Sequence, residues 1–411
     1  MTITTNDISP ASGGQGVGQG AMASDTKLWD QSHVMTTYAR QPAEIVRGEG
    51  CWLFDSEGKR YLDFLSGIAV CSVGHAHPYL AKAIADQAAT LIHASNLYLT
   101  QPQARLARRL MELSDFERVF FCNSGAEAIE AAIKLSRKYG RAISESKVRI
   151  ITATNSFHGR TLAAVTATGQ PKYHEPFAPL PPGFDYVPFN DITALEAIVT
   201  DDTCALLLEP IQGESGVHPA TLEYLTKARA LCDKHKALLI FDEVQTGVGR
   251  TGKMWAYQQY GVTPDVMTLA KGLGGGVPIG ACLARGVASE TLKPGDHGST
   301  FAGNPLCTAA ANAVLDILAD ERLTQNAATV GAHLEERLKA LGAPRGMGLM
   351  IALELDKPIA KKVVAEALAL GLIINATGDT TLRIIPPLIL TKELADEGVN
   401  LLTQAIASAA L

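Results

Sequence analysis

The chain predicts an α/β fold built on a mostly parallel central sheet with helices on both faces, and three features carry that reading. Short apolar runs end in polar residues, as in Leu238-Leu-Ile-Phe-Asp242 and Val266-Met-Thr-Leu-Ala-Lys271. Runs this short and this apolar suit strands buried on both faces. Stretches of helical periodicity separate them, so strand, crossover helix and strand alternate along the chain. The residues closing the runs are chemically capable ones, and in an open α/β sheet ligands gather outside the carboxyl ends of the strands.

The centre of the pattern lies between Leu238 and Gly276. One run ends in the adjacent carboxylates Asp242 and Glu243, the other in Lys271 followed by Gly272-Leu-Gly-Gly-Gly276. A lysine amine condenses with a carbonyl, and an acid can keep a pyridinium nitrogen protonated. That pairing is what pyridoxal 5′-phosphate requires. Each half has a plainer use. A lysine past a strand is commonly a solvated surface group, and a strand ending in two acids can bind a metal or cap a helix. The proposal therefore needs a phosphate cradle elsewhere in the chain.

At 411 residues the chain should form two or three domains. Hydrophobic residues make up 47% and charged residues 19%, the balance of a globular, core-rich protein. A net charge of -6 argues against a nucleic-acid partner, which requires a basic face. Cys51, Cys71, Cys122, Cys204, Cys232, Cys282 and Cys307 are scattered without a Cys-x-x-Cys pair, which suits reduced thiols in a cytoplasm. No apolar run reaches membrane-spanning length, so no membrane partner is expected. Residues 1–24 have neither a basic leader nor an apolar one and predict a disordered tail.

From Leu28 to Ser72 the sequence reads as short strands and turns, with Trp52-Leu-Phe54 and Tyr61-Leu62 flanking a Ser-Glu-Gly turn as a β-hairpin. Tyr38 stands upstream in an irregular segment. His75 and His77 sit at i, i+2, share no helix face and have no third ligand at suitable spacing, so a turn into a helix at Pro78 is preferred to a metal site.

The cradle appears after the strand Arg118-Val-Phe-Phe-Cys122. Ser124 and Glu127 form a Ser-x-x-Glu capping box ahead of an alanine-rich helix. The free N–H groups of that first turn, with Gly125 letting a ligand approach the backbone, also make an anion site. A further strand from Val148 leads to Phe157-His158-Gly159-Arg160, where an aromatic can stack on a flat ring and an arginine can hold a carboxylate. No carboxylate partner for His158 is legible nearby, so a structural role is expected for it. Pro171–Pro188 reads as a surface connection. Cys204-Ala-Leu-Leu-Leu-Glu209 is a buried strand ending in acid, trailed by Glu214. Gly247-Val-Gly-Arg-Thr-Gly252 spells a dinucleotide fingerprint, but it neither follows a strand directly nor opens an early βαβ unit, and is discounted. The expected division is a tail over 1–24, a first part of a smaller α+β domain over 25–75, a large domain over 76–319, and the remainder of the small domain over 320–411.

Together these residues resemble the class III (ω-amino) aminotransferases among the fold-type-I pyridoxal-phosphate enzymes, over about Tyr38 to Leu390. The likeness rests on Phe241-Asp-Glu-Val-Gln-Thr-Gly-Val-Gly-Arg-Thr-Gly252, Ala270-Lys-Gly272 and Gly298-Ser-Thr-Phe-Ala-Gly-Asn-Pro305, supported by Ser66-Gly-Ile-Ala-Val70 and Leu382-Arg-Ile-Ile-Pro-Pro-Leu388. The resemblance implies Lys271 as the Schiff-base lysine and Asp242 as the partner of the pyridine nitrogen. Phe157 and Val244 would face the two sides of the ring, with Gln245 near its hydroxyl. Ser124, Gly125 and Ala126 would hold the phosphate, and Thr300 would reach it from the second subunit of a homodimer. Arg160 and Arg383 resemble the family's carboxylate anchors, Glu214 resembles a switch that pairs with Arg383, and Tyr38 matches a position near the substrate. Glu214-Ser-Gly216 departs from the Glu-Gly-Gly of similar sequences. The implied reaction moves a terminal amino group, that of N2-acetylornithine first, to 2-oxoglutarate. Succinylornithine, succinyldiaminopimelate, ornithine and 4-aminobutyrate are alternative donors. An aminomutase or decarboxylase would share Lys271 and Asp242, and a non-catalytic α/β binding protein would use neither.

Overall fold

The protein is described by a computed structural model over residues 22–411. The described chain divides into two compact units. One takes in the chain up to Arg47 together with Phe54–Arg60; the other is Gly48–Leu53 with Tyr61–Leu411. As far as residue 21 the expected tail lies outside the described residues, and a helix, Met22–His33, begins within its last positions. The reading of strands and turns from Leu28 missed that helix, whose Leu28 and Trp29 are exposed and give no buried stripe to read. The hairpin turn forms as expected in the first unit, where Asp55 N donates to Lys59 O and Asp55 Oδ1 accepts from Glu57 N.

The second unit is organised by seven strands. In chain order they are β1 (Arg118–Cys122), β2 (Arg149–Ala153), β3 (Phe184–Val187), β4 (Thr203–Leu208), β5 (Leu238–Asp242), β6 (Val266–Leu269) and β7 (Gly280–Ala284). Across the sheet they run β1-β7-β6-β5-β4-β2-β3. All are parallel except β7, which is antiparallel to both β6 and β1. The sheet is mostly parallel, as the repeated crossovers predict. Strand β3 falls inside the segment read as a surface connection; its proline-rich approach obscured a four-residue strand at the sheet edge.

Both faces of the sheet are covered, which explains why its strands lack polar alternation. Leu239 and Phe241 of β5 enter one core cluster with Tyr224, Leu225 and Ala228 of the helix Leu222–His235. Leu238 and Ile240 enter a second with Ile129, Ala132 and Ile133 of the helix Gly125–Ile143. Each such leucine, isoleucine or phenylalanine side chain contributes about 1.5–3 kcal/mol when fully buried. A smaller antiparallel sheet joins Ala343–Met347, Met350–Glu354, Thr381–Ile384 and Asn375–Ala376. Among the described residues no helix is long and apolar enough to cross a membrane.

The consequence for function is directional. Parallel strands deliver their carboxyl ends to one edge, and there lie Asn123, Phe157, Glu209, Asp242 and Lys271, each just beyond or at the end of a strand. Antiparallel β7 brings its preceding segment, Gly276–Ile279, to the same edge.

Candidate active site

An open cavity of about 310 Å³ sits at that edge, toward the small end of ligand sites of about 300–1,000 Å³. Ser124, Gly125, Ala126, Phe157, Glu214, Asp242, Val244, Gln245 and Lys271 all line it. Nine residues singled out from the sequence, spread over almost 150 positions, thus meet at one place.

Asp242 is buried at the end of β5. Its Oδ1 accepts from Val244 N at 3.0 Å and from the Thr268 hydroxyl at 3.3 Å, and its Oδ2 lies 2.7 Å from His158 Nδ1. The parallel register sets Asp242 beside Thr268, one strand over, which makes the second bond possible. His158 therefore does have a carboxylate partner. It was missed because Asp242 is 84 positions away and only the sheet brings the two together. That contact places His158 to orient the carboxylate. Its Nε2 is buried and without a partner among the described residues.

Lys271 follows β6 across the cavity. Burial is the main force lowering its amine below the ordinary lysine range, with Glu214 opposing and Arg383 assisting. A buried amine shifted this way is the form that acts as nucleophile or base. Its backbone is left-handed, with φ +43°, which is unfavourable for a residue bearing a side chain. Strain of this kind persists where the surroundings dictate the conformation. The residue after Lys271 is closely packed: a Cβ on Gly272 would stand 2.5 Å from Ser72 Oγ.

At the start of the helix Gly125–Ile143, Ser124 Oγ accepts from Glu127 N. The capping box is formed, with one variation. Glu127 Oε2 accepts from Asn123 N rather than from the cap residue's own N–H. The N–H groups of Gly125 and Ala126, in the first turn, have no acceptor within the helix, and both residues line the cavity. A Cβ on Gly125 would come within 2.8 Å of Val244 Cγ1, so glycine is what keeps the cradle open. Amine, buried carboxylate, flat apolar walls and an anion cradle together fit pyridoxal phosphate.

Three predicted residues stand around a fourth feature. Arg383 is fully buried and donates to Glu214 Oε1, to Gly213 O at 3.2 Å and to Asn375 Oδ1 at 3.2 Å. Gln245 joins them, its Nε2 3.2 Å from Glu214 Oε1 and its Oε1 accepting from Arg383 at 3.4 Å. Burial alone would raise the Glu214 carboxyl, but Arg383 beside it holds it below the usual range. Arg383 thus meets the cavity through Glu214 and Gln245 and does not itself line it. Arg160 also lies outside the lining, exposed, with its guanidinium 4.0 Å from the Tyr173 ring centroid. Thr300 is exposed on the loop before the helix Pro305–Asp320 and does not line the cavity; its neighbour Ser299 accepts from Asn123 Nδ2 at 2.9 Å. Tyr38 is exposed in the first unit, 5.7 Å from the Arg40 guanidinium.

One buried acid escaped notice as a site residue. Glu209 lines the cavity, accepts from Phe157 N at 3.1 Å and Gly213 N at 3.4 Å, and is raised well above its ordinary value, chiefly by burial. The sign was present in the sequence, since β4 ends in acid as β5 does. Glu243, beside Asp242, turns away to accept from Ala256 N and Tyr257 N, and burial pushes it up to about 7. The Gly247–Gly252 fingerprint forms a run of turns and opens no helix.

Comparison with known proteins places this site in a family. The model for aminotransferase class-III matches residues 34–406. Acetylornithine aminotransferase from Gloeobacter violaceus is 54% identical over 90% of this chain and 95% of its own. The same-named protein from Methanocaldococcus jannaschii is 48% identical over 91% and 96%. Among solved structures, ornithine aminotransferase from Toxoplasma gondii superposes with a TM-score of 0.90 at 34% identity, covering 94% of this chain and 95% of that one. Acetylornithine aminotransferase from Elizabethkingia anophelis gives 0.83 at 34% identity, covering 94% and 99%. The chain belongs to the class-III aminotransferases and is a pyridoxal-phosphate-dependent transferase.

Proposed function

We propose that this enzyme transfers the δ-amino group of N2-acetylornithine reversibly to 2-oxoglutarate, giving N-acetylglutamate 5-semialdehyde and glutamate, as a cytoplasmic step of arginine biosynthesis. The observation that carries the chemistry is the pairing, in one cavity, of a lysine whose amine is shifted below its ordinary range, chiefly by burial, with a buried carboxylate. Relatives named acetylornithine aminotransferase, at 48–54% identity, support the choice of donor.

When bound, pyridoxal phosphate supplies an electron sink for the charge left on carbon by proton loss. Lys271 anchors the cofactor, and its Nζ takes and returns the proton at the amine-bearing carbon. Asp242, oriented by His158 and Thr268, keeps the ring nitrogen protonated. Ser124, Gly125 and Ala126 hold the phosphate, Phe157 and Val244 flank the ring, and Gln245 serves its hydroxyl side. Arg160 and Arg383 take substrate carboxylates through bidentate guanidinium contacts. While the amine donor is bound, Glu214 occupies Arg383; 2-oxoglutarate displaces it. Tyr38 contributes to the donor side.

The deciding experiment offers a panel of amine donors with 2-oxoglutarate and measures glutamate. N2-acetylornithine should exceed succinylornithine, succinyldiaminopimelate, ornithine and 4-aminobutyrate in kcat/KM by about 10-fold or more. Equal use of 4-aminobutyrate would reject the donor assignment. Product without any glutamate would reject amino transfer in favour of an aminomutase or decarboxylase.

The working unit we propose is a homodimer, with Thr300 of one subunit completing the other's phosphate site. Thr300 adjoins an apolar surface. Ile92, Leu97, Tyr98, Leu99 and Phe301 are more than half exposed, Leu99 completely, and Asn96 ties the two segments together through Ala302 O at 2.8 Å. Apolar surface gathered this way marks an interaction face. Sedimentation should give twice the 43.5 kDa of the chain. A monomer active at full rate would remove Thr300 from the site.

A further inference from the structure

Glu209 is buried and lines the cofactor cavity, yet among the described residues it makes no ion pair. A carboxyl so placed is costly to a fold. Burial raises this one well above its ordinary value, and the Asp242 charge adds to the rise. Its two oxygens are divided between two segments. Oε2 accepts from Phe157 N at 3.1 Å, and Oε1 accepts from Gly213 N at 3.4 Å, one residue before Glu214. Strand β4 pairs with β2, so a side chain at its end reaches the segment that follows β2 as well as its own.

Gly213 gives the arrangement its consequence. Its N–H is held by Glu209, and its carbonyl accepts from Arg383 at 3.2 Å. A Cβ there would collide with Gln245 Oε1, so glycine is what lets this peptide fit between them. The backbone after Glu214 is held as well. His218 Nε2 lies 3.1 Å from Ser215 O, and Arg345 donates to Gly216 O at 3.0 Å. Ser215, where similar sequences have glycine, adds a bond from its Oγ to Gln212 Oε1 at 3.4 Å. Glu214 therefore stands on a backbone clamped on both sides, while its partly exposed side chain reaches across to Arg383 and Gln245. Exchange at Arg383 then requires only rotation of that side chain. A carboxylate that leaves one guanidinium and returns to it needs a fixed origin, because a misplacement of about 1 Å in a site can cost about 100-fold in rate.

We propose that Glu209 is a positioning residue: it anchors the backbone from which Glu214 swings to and from Arg383, and with its other oxygen it holds the segment that carries Phe157. The inference rests on the switch assigned to Glu214 in the proposed function. Glu209 moves no proton of the reaction; it acts through Gly213 and Phe157. The switch is needed when a terminal amine occupies the site, whereas glutamate brings its own carboxylate to Arg383. Loss of the anchor should therefore fall unevenly on the two half-reactions.

Glu209→Gln is the informative change, since an amide has one accepting oxygen where the carboxyl has two. That oxygen should keep the shorter bond, to Phe157 N, and leave the amide NH2 facing Gly213 N, where it cannot accept. Amide hydrogen exchange in the full chain, with and without cofactor, reads this by peptide mass. Exchange should rise in the peptide carrying Gly213 and stay unchanged in the one carrying Phe157; in Glu209→Ala it should rise in both. Unchanged exchange at Gly213 overturns the anchor, and should the alanine variant not fold, the glutamine variant decides alone.

The second readout takes the half-reactions separately, in single turnovers followed by cofactor absorbance. The amine is the one the donor panel ranks first, N2-acetylornithine on the proposed reading. In Glu209→Gln, kcat/KM for that amine should fall about 10-fold and that for glutamate less than about 3-fold. Equal losses would make Glu209 a structural brace and overturn its service to Glu214. In a Glu214→Gln background the same substitution should cost the amine half-reaction less than about 2-fold further. The full loss there overturns action through Glu214. Exchange needs no substrate, so a failed donor panel leaves that result standing, and even losses with the panel intact strike this inference alone.

Discussion

Lys271→Ala should lower amino transfer on the order of 10⁴-fold, because in the proposed mechanism one side chain both holds the cofactor and moves the proton. The variant should also fail to retain the cofactor on the chain after borohydride treatment, which separates the anchoring role from the proton role. The fold should survive. Among the described residues Lys271 makes no ion pair, its burial disfavours its own charge, and alanine is no worse than lysine in a left-handed conformation. A variant with an unchanged melting transition and undiminished turnover would remove Lys271 from the mechanism.

Asp242→Ala carries the second-largest effect, and it acts on two levels. Activity should fall on the order of 10³-fold through loss of the charge that stabilises the protonated ring. Stability should fall as well, by about 1–3 kcal/mol for the buried donors left without an acceptor. Those donors are Val244 N, the Thr268 hydroxyl and the His158 ring. Asp242→Asn separates the two levels. Its amide oxygen can still accept from Val244 N while the charge is gone, so the melting temperature should recover more than the turnover does. Equal recovery of both would mean that the carboxylate acts only as a brace.

Much of this was legible in the sequence, for identifiable reasons. The strands of the central sheet could be read because burial on both faces leaves them continuously apolar, and their ends could be read because a polar residue stops each run. Lys271, Asp242 and the Ser124–Ala126 cradle followed from that punctuation together with the family resemblance. What could not be read depends on distance in space. The bond from His158 to Asp242 exists because β2 and β5 are brought to one edge with β4 between them. The network of Arg383, Glu214 and Gln245 joins three segments that no local pattern relates; the pairing of Glu214 with Arg383 came from the family resemblance alone, and the place of Gln245 between them from neither. Strand β3 was lost among prolines, and the helix Met22–His33 lacked the buried stripe by which a helix announces itself.

The positive φ at Lys271 sets the enzyme's chemistry against its own durability. Glycine adopts such a backbone at less cost than lysine, so on the proposed role of Lys271 the polypeptide carries a cost here that the chemistry would account for. A chain selected for heat resistance alone would drift toward glycine at residue 271 and be sturdier and inert. Efforts to harden the catalyst should therefore leave the end of β6 alone and work on surfaces remote from it, since the most obvious relief available is the one that ends activity.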